Sequence, residues 1–491
     1  MNVSWFLVVI LLPFVGGALL PVLPLYTRGK KQVYIEGITI ATSLVVLCLM
    51  LDSPVDRFRV LDLAGALEIT FYMDGLSKVF AGILAGLWPF AMLYAFEYMK
   101  EEGSESRFFA FYLMTYGVAN GIAFAENFMT LYMFYEMLTL VTLPLVMHAM
   151  DKASISAGRQ YVFYSIGGAS FAFIGFILIL GYGQDISFVF GGVLSSEMTK
   201  STLLLLQAGY VVSVVGFGVK AAMFPFHGWL PVASVAPTPV TALLHAVAVV
   251  NAGAFAVIRI TYYSFGTDLV KGTWAQNVVL LLAIITILYG SIRAVKEQHL
   301  KRRLAYSTIS NLSYILFGTL LMSPIGMVGA LAHMVFHSLM KIVLFFCAGA
   351  ILHETKREYI FELTGLARKM PKLMICFVIS AFALVGVPPL TGFISKWYLL
   401  EGTIQEGTAI GYVGLSVLMI SAFLSAIYLF TIIARVYSPR KEFDYTSLHD
   451  VKDPNWYMLF PMGLFCVAIV ILSLYSLPMI HYFQSVATGL Y

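Results

Sequence analysis

VVSVVGFGVKAAMFPFHGWLPVASVAPTPV, residues 211–240, begins as an apolar helix and then interrupts itself. Lys220 lies in the apolar part, and Pro225, Pro231, Pro237 and Pro239 follow. A proline inside a helix removes one backbone hydrogen bond and clashes with the preceding turn. Within a membrane such a break survives only where protein or water satisfies the freed groups. A charge at the centre of a span costs about 2.5–3.5 kcal/mol on insertion scales. A broken span that carries a lysine therefore predicts a polar cavity, with Pro225 at the helix break and His227 just beyond it as an auxiliary group.

The same features recur along the chain. In LVGVPPLTGFISKWYLL, residues 384–400, Lys396 follows Pro388 and Pro389. In NFMTLYMFYEMLTLVTLPLVMHA, residues 127–149, Glu136 is the acidic group at mid-span; the plainer reading is a glutamate hydrogen-bonded between helices. AHMVFHSLMKIVLF, residues 332–345, places His333, His337 and Lys341 at i, i+4 and i+8. At 3.6 residues per turn these positions drift by about 40° per step, so they share one helix face. A file of three protonatable groups suits a proton wire better than a metal site, because no third ligand stands nearby and lysine is a poor one. TALLHAVAVVNAGAFAVIRI, residues 241–260, adds His245 and Asn251 to an apolar helix. His245 is placed to pass protons between Lys220 and the histidine file; an interhelical hydrogen bond is the alternative.

The whole chain matches this reading. It has 491 residues, 60% hydrophobic and 11% charged, with mean hydropathy +0.87. A soluble domain carries about 25% charge. At about 20 apolar residues per crossing, an all-α polytopic membrane protein of about fourteen transmembrane helices is predicted. The spans lie near 4–25, 33–51, 74–98, 108–125, 127–148, 160–181, 203–227, 240–263, 276–293, 304–322, 325–351, 371–399, 409–434 and 456–486. The two proline-broken spans that carry lysine, 203–227 and 371–399, are five spans apart. That spacing predicts two inverted five-helix repeats, 108–263 and 276–434, with the path at the midplane. A three-helix region, 1–107, precedes them, and a loop with one last helix, 435–491, follows.

Loops 26–32, 99–107, 149–159, 228–239, 293–303, 352–372 and 435–455 carry 21 Lys and Arg, and the opposite set carries four: Arg57, Arg59, Lys200 and Lys271. Basic loops face the cytoplasm, so both termini are predicted outside. Lys78 and Arg259 would lie near the outer interface and snorkel to headgroups; an Asp74–Lys78 pair at i, i+4 is the alternative. Met1 to Ile10 has no basic n-region, which argues against a cleaved signal. The four cysteines form no CxxC pair, and there is no P-loop or GxGxxG. No metal, cofactor, nucleotide, nucleic-acid or hydrolytic site is predicted, and the absence of alternating strands excludes a β-barrel.

The stretches VKAAMFPFHGWLPVASVAPTPVTALLHAV, HMVFHSLMKIVLFFCAG and PPLTGFISKW, with DGLSK at 74–78, resemble the antiporter-like family over most of the chain. Its members are proton-pumping subunits of respiratory complex I, Mrp-type Na+/H+ antiporter subunits and membrane subunits of energy-converting hydrogenases. The resemblance implies that Glu136 and Lys220 form the acid and lysine of a first half-channel. It places His245, His333 and His337 on a central polar axis, with Lys341 as the central lysine and Lys396 as the terminal one. Many members have lysine where Asn251 stands, and some have glutamate where Lys396 stands. The chain's length leaves no room for the long lateral helix of the distal complex I subunit. The partners implied are other antiporter-like and small membrane subunits, a peripheral redox module, protons and, in an Mrp-type alternative, Na+. The location implied is a prokaryotic inner membrane. Two other classes fit the sequence less well: an organic-solute carrier, disfavoured because the polar groups are spread out, and a structural scaffold, disfavoured by the cost of three buried lysines.

Overall fold

The computed structural model describes residues 5–52, 56–65, 67–195, 198–438 and 445–490. Arg440 and Lys441, which belong to the last basic loop, lie outside them. Helices α1 (Trp5–Leu19) and α2 (Arg28–Leu51) lead into a hairpin of β1 (Phe58–Ala64) and β2 (Leu67–Phe71). Helices α3 (Gly75–Tyr98), α4 (Glu105–Ala123), α5 (Phe128–Val146), α6 (Lys152–Tyr182) and α7 (Lys200–Gly218) follow. After α7 come the one-turn helix α8 (Trp229–Val232), then α9 (Thr238–Ala242) and α10 (Val249–Arg259), with π-turns at Leu243–Val247 and Ile260–Phe265. Next are α11 (Thr267–Val270), α12 (Trp274–Lys296), α13 (Leu300–Leu320), α14 (Pro324–Thr355), α15 (Pro371–Val385), α16 (Thr391–Glu406), α17 (Ala409–Tyr437), α18 (Trp456–Leu474) and α19 (Leu477–Ala487). Among the described residues, ten helices are long and apolar enough to cross a membrane.

Loops distant in sequence meet at two ends of the bundle. At the basic end Arg28 bonds Glu105 at 2.8 Å, Lys31 bonds Ser106 at 2.8 Å, Lys356 bonds Glu101 at 3.1 Å and Lys372 N bonds Asp453 at 3.3 Å. At the opposite end Arg57 meets Glu126 at 2.9 Å, Lys271 meets Glu406 at 2.9 Å, and Tyr482 donates to the Gly75 carbonyl at 2.9 Å.

Several expectations change. Residues 228–239, read as a loop, fold into α8 and a 3-10 turn, Ala233–Val235. The last span, 456–486, splits into α18 and α19 around Ser476, and Pro478 opens the second helix where its missing N–H costs nothing. The stretch 58–71, assigned no structure, forms the antiparallel hairpin, with Phe58 opposite Phe71 and Leu61 opposite Ile69. Arg259 does not snorkel. It is 2% exposed, and its Nη2 donates to Asp74 Oδ1 at 2.7 Å and to Ser77 Oγ at 2.8 Å, while Nη1 donates to Asp74 Oδ2. Phe188, Phe255 and Tyr263 surround the guanidinium at 5.3, 5.1 and 4.8 Å. Asp74 also caps α3, accepting from Ser77 N at 2.8 Å, so Arg259 rather than Lys78 takes its carboxylate.

Breaking a buried pair by removing one partner costs about 3–5 kcal/mol, because the other charge is left uncompensated. Arg259→Met is expected to destabilise the protein by about that amount. Adding Asp74→Asn should recover part of the loss in a thermal-melting double-mutant cycle, and additive losses would contradict the pairing.

The hairpin is fastened at Glu126, in the turn between α4 and α5, where Arg57 holds a side chain only 2% exposed. Burial pushes the Glu126 carboxyl up from 4.5 to about 7, against the pull of Arg57, and Asp185 and Glu68 add to the rise. A carboxyl whose folded-state value is raised contributes fully below its ordinary value and loses that contribution as pH rises through the folded one. Glu126→Gln does not titrate. Its melting temperature relative to the native chain is therefore expected to rise as pH increases from about 4.5 to about 7. A pH-independent difference would contradict this.

Candidate functional site

Lys220 stands where α7 ends. The break after it is satisfied by protein: Trp229 Nε1 donates to the Val219 carbonyl at 2.8 Å, and Phe224 N donates to Thr286 Oγ1 at 3.0 Å. Gly253 of α10 passes so close that a Cβ there would lie 2.5 Å from Ala221 N, so only glycine allows this approach. Lys220 is 1% exposed. Its Nζ donates to the Tyr135 carbonyl and lies 3.6 Å from the centroid of that residue's ring. Glu136, the next residue on α5, is half-buried and interacts electrostatically with Lys220. No carboxylate oxygen of Glu136 comes within 4.0 Å of the amine. The acid and the lysine are neighbours without a direct ion pair.

The second break is built differently. Helix α15 ends in a Schellman motif. Val387 N donates to the Phe382 carbonyl and Gly386 N to the Ala383 carbonyl, each at 3.1 Å, with Gly386 at φ +91°. The Leu384 and Val385 carbonyls are left over. Lys396 Nζ donates to both, at 2.9 and 2.8 Å, so the cation caps the negative end of the half-helix. Here too a glycine permits the packing, since a Cβ on Gly392 would lie 1.9 Å from the Ala383 carbonyl oxygen.

Between the breaks runs α14. The rings of His333 and His337 stack with centroids 5.8 Å apart. His333 Nδ1 bonds Ser395 Oγ at 2.9 Å, and its ring lies 5.2 Å from Tyr314. Tyr314 lies 5.5 Å from Lys396 Nζ, which joins the file to the second break. Lys341 is fully buried; its Nζ donates to the Leu304 carbonyl at 2.9 Å and to Ser307 Oγ. His245 lies in the π-turn of 243–247, its ring 4.8 Å from Phe345. Both ring nitrogens of His245 and of His337 lack a hydrogen-bond partner among the described residues. Asn251 Nδ2 donates to the Ala246 carbonyl at 2.9 Å and to Ser338 Oγ at 2.8 Å, tying the π-turn to α14.

Of the predicted residues, His245, His333, His337, Lys341 and Lys396 form one line of electrostatic neighbours: Lys396 acts on His333, His333 on His337, and Lys341 on both His337 and His245. Glu136 and Lys220 form a second group beside it, and Asn251 stands two residues before the glycine that packs on Lys220. His227 joins neither. It stacks on Phe224 at 5.6 Å, packs with tilted ring against Tyr289 of α12 at 4.4 Å, and feels Arg293 at the basic end. Pro225 lies between α7 and α8, and Pro388 and Pro389 lie between α15 and α16. Among the described residues no group of three His, Cys, Asp or Glu could hold a metal ion.

Sequence reasoning missed Lys301. Loop charge assigns it to a cytoplasmic loop, yet it is 6% exposed on the first turn of α13, where its Nζ donates to the Ala236 carbonyl at 3.0 Å. Its charge acts on His245, which extends the line to the basic end. The signal was available: Lys301, Leu304 and Thr308 recur at helical spacing on one buried face.

Residues 125–410 match the transmembrane family of NADH:quinone oxidoreductases and Mrp antiporters, and residues 63–109 match the NADH-ubiquinone oxidoreductase (complex I) chain 5 N-terminus. NADH-quinone oxidoreductase subunit N of Desulforudis audaxviator is 33% identical over 380 residues, covering 76% of this chain and 71% of that one. The A/B component of a probable K(+)/H(+) antiporter of Rhizobium meliloti is 33% identical over 399 residues, which are 79% of this chain and 39% of that one. The A1 component of a Na(+)/H(+) antiporter of Staphylococcus haemolyticus is 31% identical over 353 residues, 69% of this chain and 43% of that one. The chain thus spans less than half the length of these two antiporter components. Among solved structures, a chain of the membrane-bound sulfane sulfur reductase, an archaeal respiratory membrane complex, superposes with TM-score 0.85 at 21% identity, covering 99% of this chain and 97% of that one. A chain of the Mrp complex from Dietzia sp. DQ12-45-1b gives TM-score 0.84 at 20% identity, covering 100% and 98%. Both share the fold.

Proposed function

We propose a proton-translocating role for this chain from a premise of family: it belongs to the NADH:quinone oxidoreductase/Mrp antiporter family of membrane subunits. In this reading it is one component of a multisubunit ion-pumping complex and moves protons along the buried line Lys301, His245, Lys341, His337, His333 and Lys396, with Glu136 and Lys220 as the switch beside it. The observation that carries the reading is the set of partners around the lysines. Lys220, Lys341 and Lys396 donate to main-chain carbonyls and a serine hydroxyl, and none of them is held by a carboxylate among the described residues. Lys341 and Lys396, so placed, give up a proton without stranding a buried anion, whereas Lys220 has half-buried Glu136 as its electrostatic neighbour. As a neutral amine each lysine still donates to the same oxygens.

Glu136 supplies the bias. At roughly 6 Å and an effective dielectric of about 20, its attraction for Lys220 is about 2.8 kcal/mol. Weakening that attraction sends the Lys220 proton toward His245 and Lys341, and Lys396 releases outward. Lifting one charge against 150–200 mV requires about 3.5–4.6 kcal/mol. One switch falls short of that, so the drive comes from partner subunits such as a peripheral redox module. The same reading takes the chain through the membrane fourteen times, with two inverted five-helix repeats at 108–263 and 276–434. It sets the basic loops in the cytoplasm of a prokaryotic cell and both termini outside the inner membrane. In support, α7 runs into its break from the face opposite the basic loops, whereas α15 runs into its break from the basic face.

A second reading, membership of an Mrp-type cation/proton antiporter, is favoured by the antiporter relatives. A requirement for Na+ in proton flux would select it. The main test is vectorial proton transport by the assembled complex in sealed vesicles. Glu136→Gln and Lys220→Ala are each expected to lower flux at least about tenfold, the effect of losing about 1.4 kcal/mol of the drive. Full flux from both variants would remove the scheme. Lys341→Ala is expected to uncouple the complex more severely than Asn251→Ala, because Asn251 binds backbone and serine without carrying a proton; equal effects would contradict the ranking.

A further inference from the structure

The buried line ends, on the side of the basic loops, in a residue that water barely reaches. Lys301 is 6% exposed, and its amine is turned onto the Ala236 carbonyl. A proton bound for it must be carried the last step from solvent. The two loops that close this end hold a group built for that step. Leu300 N donates to the Glu358 carbonyl at 2.9 Å and Ile360 N to the Gln298 carbonyl at 3.0 Å, which zips the segment before α13 to the segment after α14. His299 and Tyr359 face each other in this bridge, their rings 5.5 Å apart. The bridge sets His299 between outside and inside. Its Nε2 lies 3.4 Å from Glu358 Oε2, on a side chain 46% exposed, while the histidine side chain is only 13% exposed. Its Nδ1 is buried and has no hydrogen-bond partner among the described residues. Glu358 and Lys301 both act electrostatically on His299, and Glu358 acts on Lys301 in turn, so the three are mutual neighbours. A second exposed carboxylate, Glu102, also acts on Lys301.

The two ring nitrogens of a neutral imidazole do different work: one donates and the other accepts. With Nε2–H on the Glu358 carboxylate, Nδ1 is the basic atom, and it is the one without a partner. Burial lowers the pKa of the ring, and Arg302 and Lys301 add to the fall against the pull of Glu358 and Glu297, so the ring rests neutral and ready to accept. We propose that His299 is the proton-entry residue of this chain, collecting protons from water at Nδ1 and delivering them to the neutral amine of Lys301. Rotation of the side chain opens Nδ1 to water, where it takes a proton and the ring becomes a cation. The return rotation brings that proton to Lys301. The histidine is then neutral again in the tautomer it started from, and one proton has moved from solvent to the lysine. Glu358 holds Nε2–H throughout the resting state and steadies the cation while it lasts. This inlet rests on the proton-translocation reading and names its first acceptor.

Proton flux through the assembled complex, in sealed vesicles whose basic loops face the medium, tests it. His299→Ala should lower flux at least about tenfold, less than the ~100-fold that a positioned proton-transfer group commonly contributes. Imidazole added to the medium should restore that flux and leave the native chain unchanged. His299→Gln keeps a donor toward Glu358 and serves if the alanine variant does not assemble; it should lose the same flux. His353→Gln is the control, since that histidine lies at the same end with its Nδ1 on Glu354 at 3.2 Å, and it should pump at the native rate. Native flux from the His299 variants would overturn the inlet. So would a loss in His299→Ala that imidazole leaves untouched, which would make the residue a structural link between the loops, and so would an equal loss in His353→Gln. Glu136→Gln and Lys220→Ala in the same vesicles separate the two failures. Full flux from both removes the proton-translocation reading, whereas low flux from both with native flux from His299→Ala removes the inlet alone.

Discussion

The arrangement depends on a capping interaction in which a buried amine satisfies main-chain carbonyls. Breaking a helix inside a bilayer leaves carbonyl oxygens without donors, and each orphan costs several kcal/mol there. In the second break the leftover oxygens of Leu384 and Val385 receive Lys396. Lys301 does the same for Ala236 at the end of the short helical segment past the first break. In the second break the carbonyls need the lysine and the lysine needs the carbonyls. Lys220 and Lys341 rest instead on the Tyr135 and Leu304 carbonyls inside α5 and α13.

Arg259 shows the contrast. It is equally buried but is held by both oxygens of Asp74 and by Ser77. A guanidinium does not release its proton in proteins, and its fork fits a carboxylate. Buried cations are therefore of two kinds, by the way they are held. One, Arg259, is fixed by an anion and fastens α10 to the head of α3. The others rest on neutral dipoles; of these Arg303 keeps its proton, and the lysines are the ones that exchange protons in the proposed function. The π-turn at 243–247 belongs with the second kind, since Asn251 occupies the carbonyl that the turn exposes at Ala246 and leaves the His245 ring without a hydrogen-bond partner among the described residues. Such distortions recur at functional positions in helices.

Much of this was legible in the sequence because it is local. Proline next to lysine in an apolar run marks both breaks, and spacing of four residues puts His333, His337 and Lys341 on one face. What could not be read depends on partners distant in sequence. Arg259 pairs with a residue 185 positions away, so hydropathy alone favoured a headgroup contact. Lys301 looked like one more loop charge because four other basic residues crowd 293–303. His227 follows a proline break, but its direction is set by Tyr289 on another helix. The 58–71 hairpin was missed because its strands are short, β1 is almost wholly exposed and β2 passes from half-buried to buried, so neither alternates.

The central claim is that the intramembrane lysines work by giving up protons, so that a fixed positive charge in the same place is useless. Lys396→Arg keeps the charge and the donors to Leu384 and Val385 but removes the exchangeable proton. Proton flux should be measured for this variant in sealed vesicles, alongside proof that the complex assembles. The account predicts an assembled complex with flux abolished. An assembled complex that pumps at the native rate would contradict it.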